Sequence, residues 1–192
     1  MFCVSLGVLL VAGDFCSTFF YHVPQHIWGK LHLRTHHDNT RSYWEHSIVS
    51  RNPSVLLDGL LGALPYFVIA GILAMFGRAA ALGAISGLVI GHLHVLWRHT
   101  CEIGWVSPPW LVRFARATAL VLPEDHNGHH NDPNVEFGDL FRFYDAPARA
   151  LLAVARDSLR RARRLQRLRA SRAMRAAQRR GSARGPAGRV AL

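Results

Sequence analysis

The sequence predicts an all-α integral membrane protein, a helical bundle with a cytoplasmic histidine-rich cap and a basic C-terminal helix or tail. Three observations predict this class: half of the 192 residues are hydrophobic, three apolar stretches are long, and the arginines concentrate near the C terminus. This length fits one membrane domain with a tail. We therefore assign residues 1–147 to a membrane domain, 148–180 to a basic amphipathic helix and 181–192 to a disordered tail.

The apolar stretches each approach the roughly 20 residues that a helix needs to cross a bilayer. They are residues 2–21, 55–76 and 79–97. The first contains Asp14 as its one charge, and the second contains Asp58. Only Gly77 and Arg78 separate the second stretch from the third, which predicts a helical hairpin. A cleaved signal peptide is the alternative for the first stretch, but a basic n-region and a small-residue cleavage site are missing.

The positive charge belongs to the tail and not to the membrane domain. Residues 156–192 carry thirteen arginines and one acid, a net charge of +12, whereas residues 1–155 carry −1. The Ala/Leu/Arg pattern of 148–180 is typical of a helix on an anionic membrane surface. We expect no nucleic-acid partner, because the tail has no aromatic residues for base stacking. Residues 109–122 have an apolar stripe that predicts a second interfacial helix.

Cysteine content and glycine content exclude several other classes of protein. Cys3, Cys16 and Cys101 are scattered, so neither a disulfide framework nor a zinc finger is supported. No glycine-rich phosphate loop follows a strand-like run, which excludes a nucleotide-binding fold of that type.

The histidines are the most informative residues. The twelve histidines form four clusters, with His46 just beyond the second. The clusters are His22 and His26 (HxxxH); His32, His36 and His37 (HxxxHH); His92, His94 and His99; and His126, His129 and His130 (HxxHH). Side chains four residues apart share one helical face, so an HxxxH can offer two imidazoles to one metal ion. Eight or more imidazoles exceed what one ion can use, which indicates two metals.

Finer assignments follow from the turn of 100° per residue in a helix. The three histidines of HxxHH span about 100° and can face a common centre. The last residue of HxxxHH, His37, can serve a second metal or accept a hydrogen bond beside the site. His92, His94 and His99 have either a helix-end role or direct ligation, and His46 is interpreted as an interfacial residue. Pro24 lies inside the first HxxxH and predicts a kink or the end of that helix.

The predicted topology places every cluster on one side of the membrane. The first stretch ends at His22, and the hairpin over 55–97 leaves this side and returns to it. The positive-inside rule makes this side cytoplasmic, because the arginine-rich tail follows without another crossing.

These motifs together resemble the fatty acid hydroxylase/sterol desaturase superfamily of membrane-bound di-iron enzymes. The family pattern is HxxxH, then HxxHH or HxxxHH, a transmembrane hairpin and a final HxxHH, followed by an element that here runs from Gly138 to Tyr144 and Asp145. Asp14 resembles the acid that precedes the first motif in the family. Val23 and Tyr144 depart from the usual Arg and Trp, and the expected Phe-Gly-Thr is absent.

The resemblance implies both the site and the reaction. Metal-ligating and catalytic roles fall on His22, His26, His32, His36, His37, His126, His129 and His130, and metal ligation also on His94 and His99. The implied activity is an O₂-dependent oxidoreductase with two iron ions, which hydroxylates or desaturates an unactivated C–H bond of a fatty acyl, sterol-like or carotenoid lipid. Electrons would come from a separate reductase or ferredoxin, since no flavin, haem or iron–sulfur motif is present.

Carboxylates near the clusters are candidates for orienting the imidazoles. They are Asp14, Asp38, Glu45, Glu102, Glu124 and Asp125. Two other functions stay open at this point. A zinc hydrolase would need an HExxH motif, which is missing, and a metal-handling or transport protein would need ionisable residues along a transmembrane path.

Overall fold

The computed structural model describes residues 1–38, 40–46 and 50–183. Most of the predicted disordered tail, residues 184–192, lies outside this part of the chain. The residue contacts divide the chain into two units, Met1–Leu152 and Ala153–Leu192. Within the described residues the structure is helical, apart from one isolated antiparallel bridge between Leu120 and Phe141. The all-α prediction is confirmed.

Among the described residues, three helical segments are long and apolar enough to cross a membrane, as predicted. They are Phe2–Ile27, Pro53–Ala74 and Arg78–Arg98. The first combines α1 (Phe2–Ser17), a π-helical turn (Thr18–His22) and α2 (Val23–Ile27), and the other two are α4 and α5. Asn52 caps α4 by accepting a hydrogen bond from the Ser54 N–H, at 2.9 Å, and Pro53 starts the helix. Gly77 turns the chain between α4 and α5 with φ +98°, a value that glycine adopts without strain.

Small residues let α1 and α5 approach closely. Ala80, Gly83, Ala84 and Gly87 are buried on α5, and a side chain at Gly83 would overlap the Phe2 carbonyl oxygen. Such contacts are typical of helix pairs in membranes, where close van der Waals packing replaces the hydrophobic effect. The close packing continues at Gly87, which lies against Leu9, so it fixes α1 beside α5, and the histidines lie toward the C-terminal ends of both helices.

The helix containing the first HxxxH does not end at Pro24. A π-helical turn over Thr18–His22 precedes this proline, and helical structure continues to Ile27. Proline has no N–H to donate, and the wider π turn absorbs the change of hydrogen-bond register. As a result the His22 and His26 rings stay adjacent, with ring centroids 5.0 Å apart.

Shorter elements cover the end of the bundle where the histidines emerge. They are α3 (Leu31–Thr35), α6 (Pro109–Thr118), α7 (Pro123–Asn131) and three 3₁₀ turns, Tyr43–His46, Thr100–Ile103 and Arg142–Tyr144. Helix α6 exposes Trp110 and Phe114, as an interfacial helix would. It ends at Thr118 and not at residue 122, because Ala119 turns left-handed and the Val121 N–H donates to the Leu140 carbonyl at 2.9 Å.

The last helix, α8, runs from Asp145 to Ala183. Its first turns belong to the first unit, Met1–Leu152, where Ala148 and Leu152 pack in a small core with Val23 and Phe137. From Ala153 onward, the described part of α8 exposes apolar side chains such as Val154, Leu165 and Leu168 among its arginines.

Candidate metal centre

Imidazoles from all four clusters meet at one end of the bundle in two groups, and a third set, His32, His36 and Asp58, takes one histidine from each of them. Within each group, one ring nitrogen per histidine lies within 4.8 Å of the others. The first group is His22, His26, His32, His37 and His129, and the second is His36, His99, His126 and His130. All nine rings are buried except that of His37, which is partly buried. His22 and His129 belong to one group although they are 107 residues apart in sequence, so tertiary folding brings the ligands together.

His36 and His37 are neighbours in sequence but belong to different groups, and the three histidines of α7 are divided between the groups in the same way. His126 and His130 are four residues apart on one face of α7 and belong to the second group, while His129 turns toward the first. The expectation that all three face a common centre is therefore replaced by a division between two centres. The cause is the tertiary packing, because His22 approaches His129, whereas His36 and His99 approach His126.

The Nε2 atoms of His22 and His129 face each other, but neither carries a proton that could form a hydrogen bond between them. His22 Nδ1 lies 2.9 Å from the Phe137 carbonyl, and His129 Nδ1 lies 2.5 Å from the Val135 carbonyl. A carbonyl only accepts, so both Nδ1 atoms carry the proton and both Nε2 atoms present lone pairs. These Nε2 atoms are 2.9 Å apart. Two lone pairs at this distance repel each other, and a cation between them removes the repulsion.

The second group shows the same excess of nitrogen lone pairs. The Nε2 atom of His126 lies 3.1 Å from those of His36 and His99 and 3.2 Å from that of His130. One nitrogen can take part in only one N–H···N bond along its lone-pair direction, so it cannot satisfy three neighbours. His99 Nδ1 donates to the Val95 carbonyl at 2.7 Å, which leaves its Nε2 as a lone pair too.

These distances fit one transition-metal ion in each group. With metal–nitrogen bonds of about 2.0–2.1 Å, nitrogens 2.9–3.2 Å apart subtend roughly 90–105° at a shared ion. Angles in this range occur in both octahedral and tetrahedral coordination. In addition, the Nε2 atoms of His32 and His37 are buried with no hydrogen-bond partner among the described residues. Buried polar atoms of this kind are rare unless a ligand satisfies them.

Burial keeps six imidazoles outside the spans in the neutral form that binds metals. It lowers the pKa of His36, His99, His126 and His129 well below the ordinary value of 6.5. It also lowers the pKa of His130 to about 2 and that of His37 to about 4. A protonated imidazole cannot ligate, so these low pKa values favour metal binding at neutral pH.

Asp58, on α4, orients a ring of the first group from within the membrane. Its Oδ2 atom lies 3.3 Å from His32 Nδ1 and accepts a hydrogen bond from the Thr35 hydroxyl at 2.9 Å. Its Oδ1 atom accepts from the Tyr21 hydroxyl. A carboxylate that holds Nδ1–H directs Nε2 toward the centre of the group. The sequence contained a signal for this role, because an acid inside an apolar span is expensive to bury and is usually functional.

Asp14 acts on the site through the loop over residues 137–141. It is fully buried, and its carboxylate accepts the N–H groups of Asp139, Leu140 and Phe141 at 3.1, 3.2 and 2.7 Å. The same loop supplies the Phe137 carbonyl to His22. Arg98 pairs with the Asp139 carboxylate at 2.7 Å. Asp14 therefore fixes the loop that orients His22, while Arg98 and Asp139 were not singled out from the sequence.

Of the other five candidate carboxylates, one contacts an imidazole and four bind backbone or hydroxyl groups. Glu102 lies 3.1 Å from His46 Nε2. The remaining four bind nearby backbone or hydroxyl groups: Asp38 in the turn to Thr40, Glu45 at Ser42, Glu124 at Ser107 and Asp125 at the Leu122 N–H. His46 is buried and not interfacial, and its ring stacks on that of His99 with centroids 4.2 Å apart.

His92 and His94 lie outside both groups. His94 Nε2 is 3.0 Å from the Val121 carbonyl, a contact that ties α5 to the segment after α6. His92 is partly buried and lies deeper along α5. Of the third cluster, the structure thus brings His99 into a group.

A cavity of about 420 Å³ runs from the histidines into the apolar bundle. At one end it meets His22, His32 and His36, and along α4 it extends from Val55 to Phe67. Twelve residues of helix correspond to a depth of roughly 18 Å. Leu60, Phe67, Val89 and Leu93 line the cavity and are exposed, which indicates that the cavity is open between α4 and α5.

The spanning helices and the imidazole groups define a membrane protein with buried histidine groups that could hold metal ions. A comparison with protein-family models identifies the family: the fatty acid hydroxylase model matches residues 6–148, and the chain belongs to that family. The matched region includes all twelve histidines. No curated protein and no solved structure gives a significant match. The resemblance stated from the motifs is confirmed, and the family implies an oxidoreductase.

Proposed function

We propose that the protein is a membrane-bound di-iron oxygenase that uses O₂ to hydroxylate or desaturate a lipid C–H bond. The observation that carries this proposal is the pair of imidazole groups at the inner end of a cavity open toward the bilayer. The nine histidines of the two groups are the proposed ligands, one iron to each group. His94 is the weakest of the predicted ligands, because the Val121 carbonyl occupies its Nε2.

When bound, the two irons would supply the reductive activation of O₂. Hydroxylation replaces one C–H bond by C–OH and returns the second oxygen atom as water, consuming two electrons and two protons. Desaturation removes two hydrogens from neighbouring carbons and returns both oxygen atoms as water for the same two electrons and two protons. A separate electron donor must supply the electrons in both cases.

The described residues orient the site and keep water from it. Asp58 and the carbonyls of Val95, Val135 and Phe137 hold Nδ1 protons, so the Nε2 atoms point inward. Phe137 is fully buried and packs on three rings of the first group, with centroids 5.1–5.6 Å away. The apolar cavity walls hold a lipid chain in an extended form, which places one part of it beside the metals.

A second, polar pocket supports access for the electron donor from the aqueous side. It has a volume of about 620 Å³ and reaches His99, His126 and His130. Its other walls include the polar side chains of Arg41 and Asn127. We propose that this side is cytoplasmic, because the basic tail follows it and the hairpin loop on the opposite side carries Arg78 alone among charged residues.

Isotope labelling tests this function. Purified protein in nanodiscs made from host lipids is supplied with ferredoxin, ferredoxin reductase and oxygen-18 gas, and the lipids are then analysed by mass spectrometry. One heavy oxygen atom in a lipid product indicates hydroxylation, and a loss of two mass units without heavy oxygen indicates desaturation. His129→Ala is the control, with normal membrane insertion and loss of turnover expected. Lipids unchanged by the wild type, with zinc or no metal bound, would favour the hydrolase or metal-handling function instead.

A further inference from the structure

His92 is an imidazole that the metal centre does not use. It lines the cavity from α5 within a membrane-spanning segment and is partly buried. None of the described residues offers its ring a hydrogen bond, in contrast to His94 and His99, whose rings bind the Val121 and Val95 carbonyls. An ionisable side chain within the membrane is costly and usually marks a functional position.

The position of His92 relates it to the metal centre. His92 and His99 are seven residues apart, close to two full turns, so they share one face of α5. The rise along the helix places His92 about 10 Å deeper in the membrane than His99. The wall between them is formed by Val95 and Arg98, both of which line the same cavity. A chain lying along this wall would reach the imidazole of His92 and also His36, the member of the second group that lines this cavity.

We propose that His92 hydrogen-bonds a hydroxyl or carbonyl oxygen of the lipid substrate and thereby sets which carbon reaches the metals. This proposal rests on the proposed function and names the substrate class as a lipid with a polar group inside the membrane, about 10 Å from the reacting carbon. His92 would be a positioning residue, because it does not reach the metal groups.

The chemistry of the cavity supports this assignment. A neutral imidazole donates one hydrogen bond and accepts one, so it suits both a hydroxyl and a carbonyl oxygen. The walls around His92 are apolar or small, including Leu88, Gly91 and Gly59. The cavity also holds polar side chains, including Tyr66, His94 and Arg98, but its lining is mostly apolar, and an unmade hydrogen bond in such surroundings is costly.

Binding of three probes of similar chain length tests the proposal. Hexadecanol, methyl palmitate and hexadecane are titrated into the purified full-length protein, and native mass spectrometry counts bound molecules. We expect the wild type to prefer at least one oxygen-containing probe over hexadecane by roughly 2- to 12-fold, the effect of one hydrogen bond. The two oxygenated probes distinguish a hydroxyl from a carbonyl. His92→Leu should remove this preference and leave hexadecane binding unchanged, and His92→Gln should retain most of it.

Two glycine variants show whether the probes occupy the cavity. A Cβ atom at Gly91 or at Gly71 would meet no atom within 4 Å, so both sites tolerate a side chain. Gly91 lines the cavity, whereas Gly71 does not. Gly91→Leu should therefore weaken binding of all three probes, and Gly71→Leu should not change it.

A reaction readout complements the binding data. With a lipid that the wild type converts, His92→Leu should spread the new hydroxyl or double bond over several carbons while iron content stays normal. A retained preference for oxygenated probes in His92→Leu, or no preference in the wild type, would overturn the role of His92. Neither result touches the proposed function, which fails only if the wild type lacks iron or lipid turnover.

Discussion

Replacement of Asp58 by asparagine isolates the contribution of one orienting carboxylate to metal affinity. Asp58 serves three donors, the His32 ring, the Thr35 hydroxyl and the Tyr21 hydroxyl. Asparagine has nearly the same shape but one acceptor oxygen and no charge, so the hold on His32 Nδ1 is weakened. A hydrogen bond to a charged group contributes about 1.5–3 kcal/mol. Because 1.4 kcal/mol is about tenfold in an equilibrium constant, ferrous-iron affinity of the first group should fall roughly 10- to 100-fold.

The assay is anaerobic competition between the purified protein and a chromophoric chelator for ferrous iron. Tyr21→Phe is the matched control, since it removes a donor from the other carboxylate oxygen and leaves the bond to His32 intact. We expect little change in this control. If Asp58→Asn binds both irons as tightly as the wild type, Asp58 does not orient a ligand and the assignment of His32 is wrong.

Three further predictions concern the second metal, pH and the tail. His126→Ala should lower the iron content from two to about one per chain, because the His126 Nε2 faces three other imidazoles of its group; loss of both irons or of neither would contradict separate groups. Burial lowers the pKa of His130 to about 2 and of His37 to about 4, so below pH 6.5 the unfolded chain binds more protons than the folded one. The melting temperature of the metal-free protein should therefore fall as the pH drops from about 6.5 to 4. A melting temperature that does not change with pH would contradict the conclusion that these histidines are buried in the neutral form. Deletion of 156–192 should leave the iron content unchanged. In the full chain, relaxation of a spin label at Ser171→Cys should show more contact with anionic than with zwitterionic nanodiscs; equal contact in both lipids would argue against a membrane-surface tail.

The spans and the positions of the histidine clusters could be predicted because both depend on local sequence. Apolar length identifies a span, and spacing identifies a shared helical face. The response of the chain to Pro24 could not be predicted in the same way. Whether a proline ends a helix or is absorbed by a π turn depends on packing around that turn, and here the rings of His22 and His26 are kept together.

The groups that hydrogen-bond and orient the imidazoles could not be predicted from the sequence, for a different reason. The Phe137 carbonyl that orients His22 is 115 residues away in sequence, and the backbone groups that Asp14 binds are at least 125 residues away. Backbone carbonyls carry no residue-type signal, so no pattern could have indicated them. Asp58 was visible as an acid within a span, whereas the burial of His46 against His99 required the fold.

The same reasoning explains why HxxHH divides between two groups. Spacing shows which side chains can share a face, but not which neighbouring elements approach that face. His37 and His22 approach His129, while His36 and His99 approach His126. The partition of the ligands was therefore a property of tertiary structure.

Metal analysis of the purified wild-type protein, combined with X-ray absorption at the iron edge, addresses the two-metal assignment most directly. Two irons per chain with nitrogen neighbours at imidazole distances are the expected result. A single ion, zinc in place of iron, or a coordination shell dominated by oxygen would contradict a centre built from these nine rings.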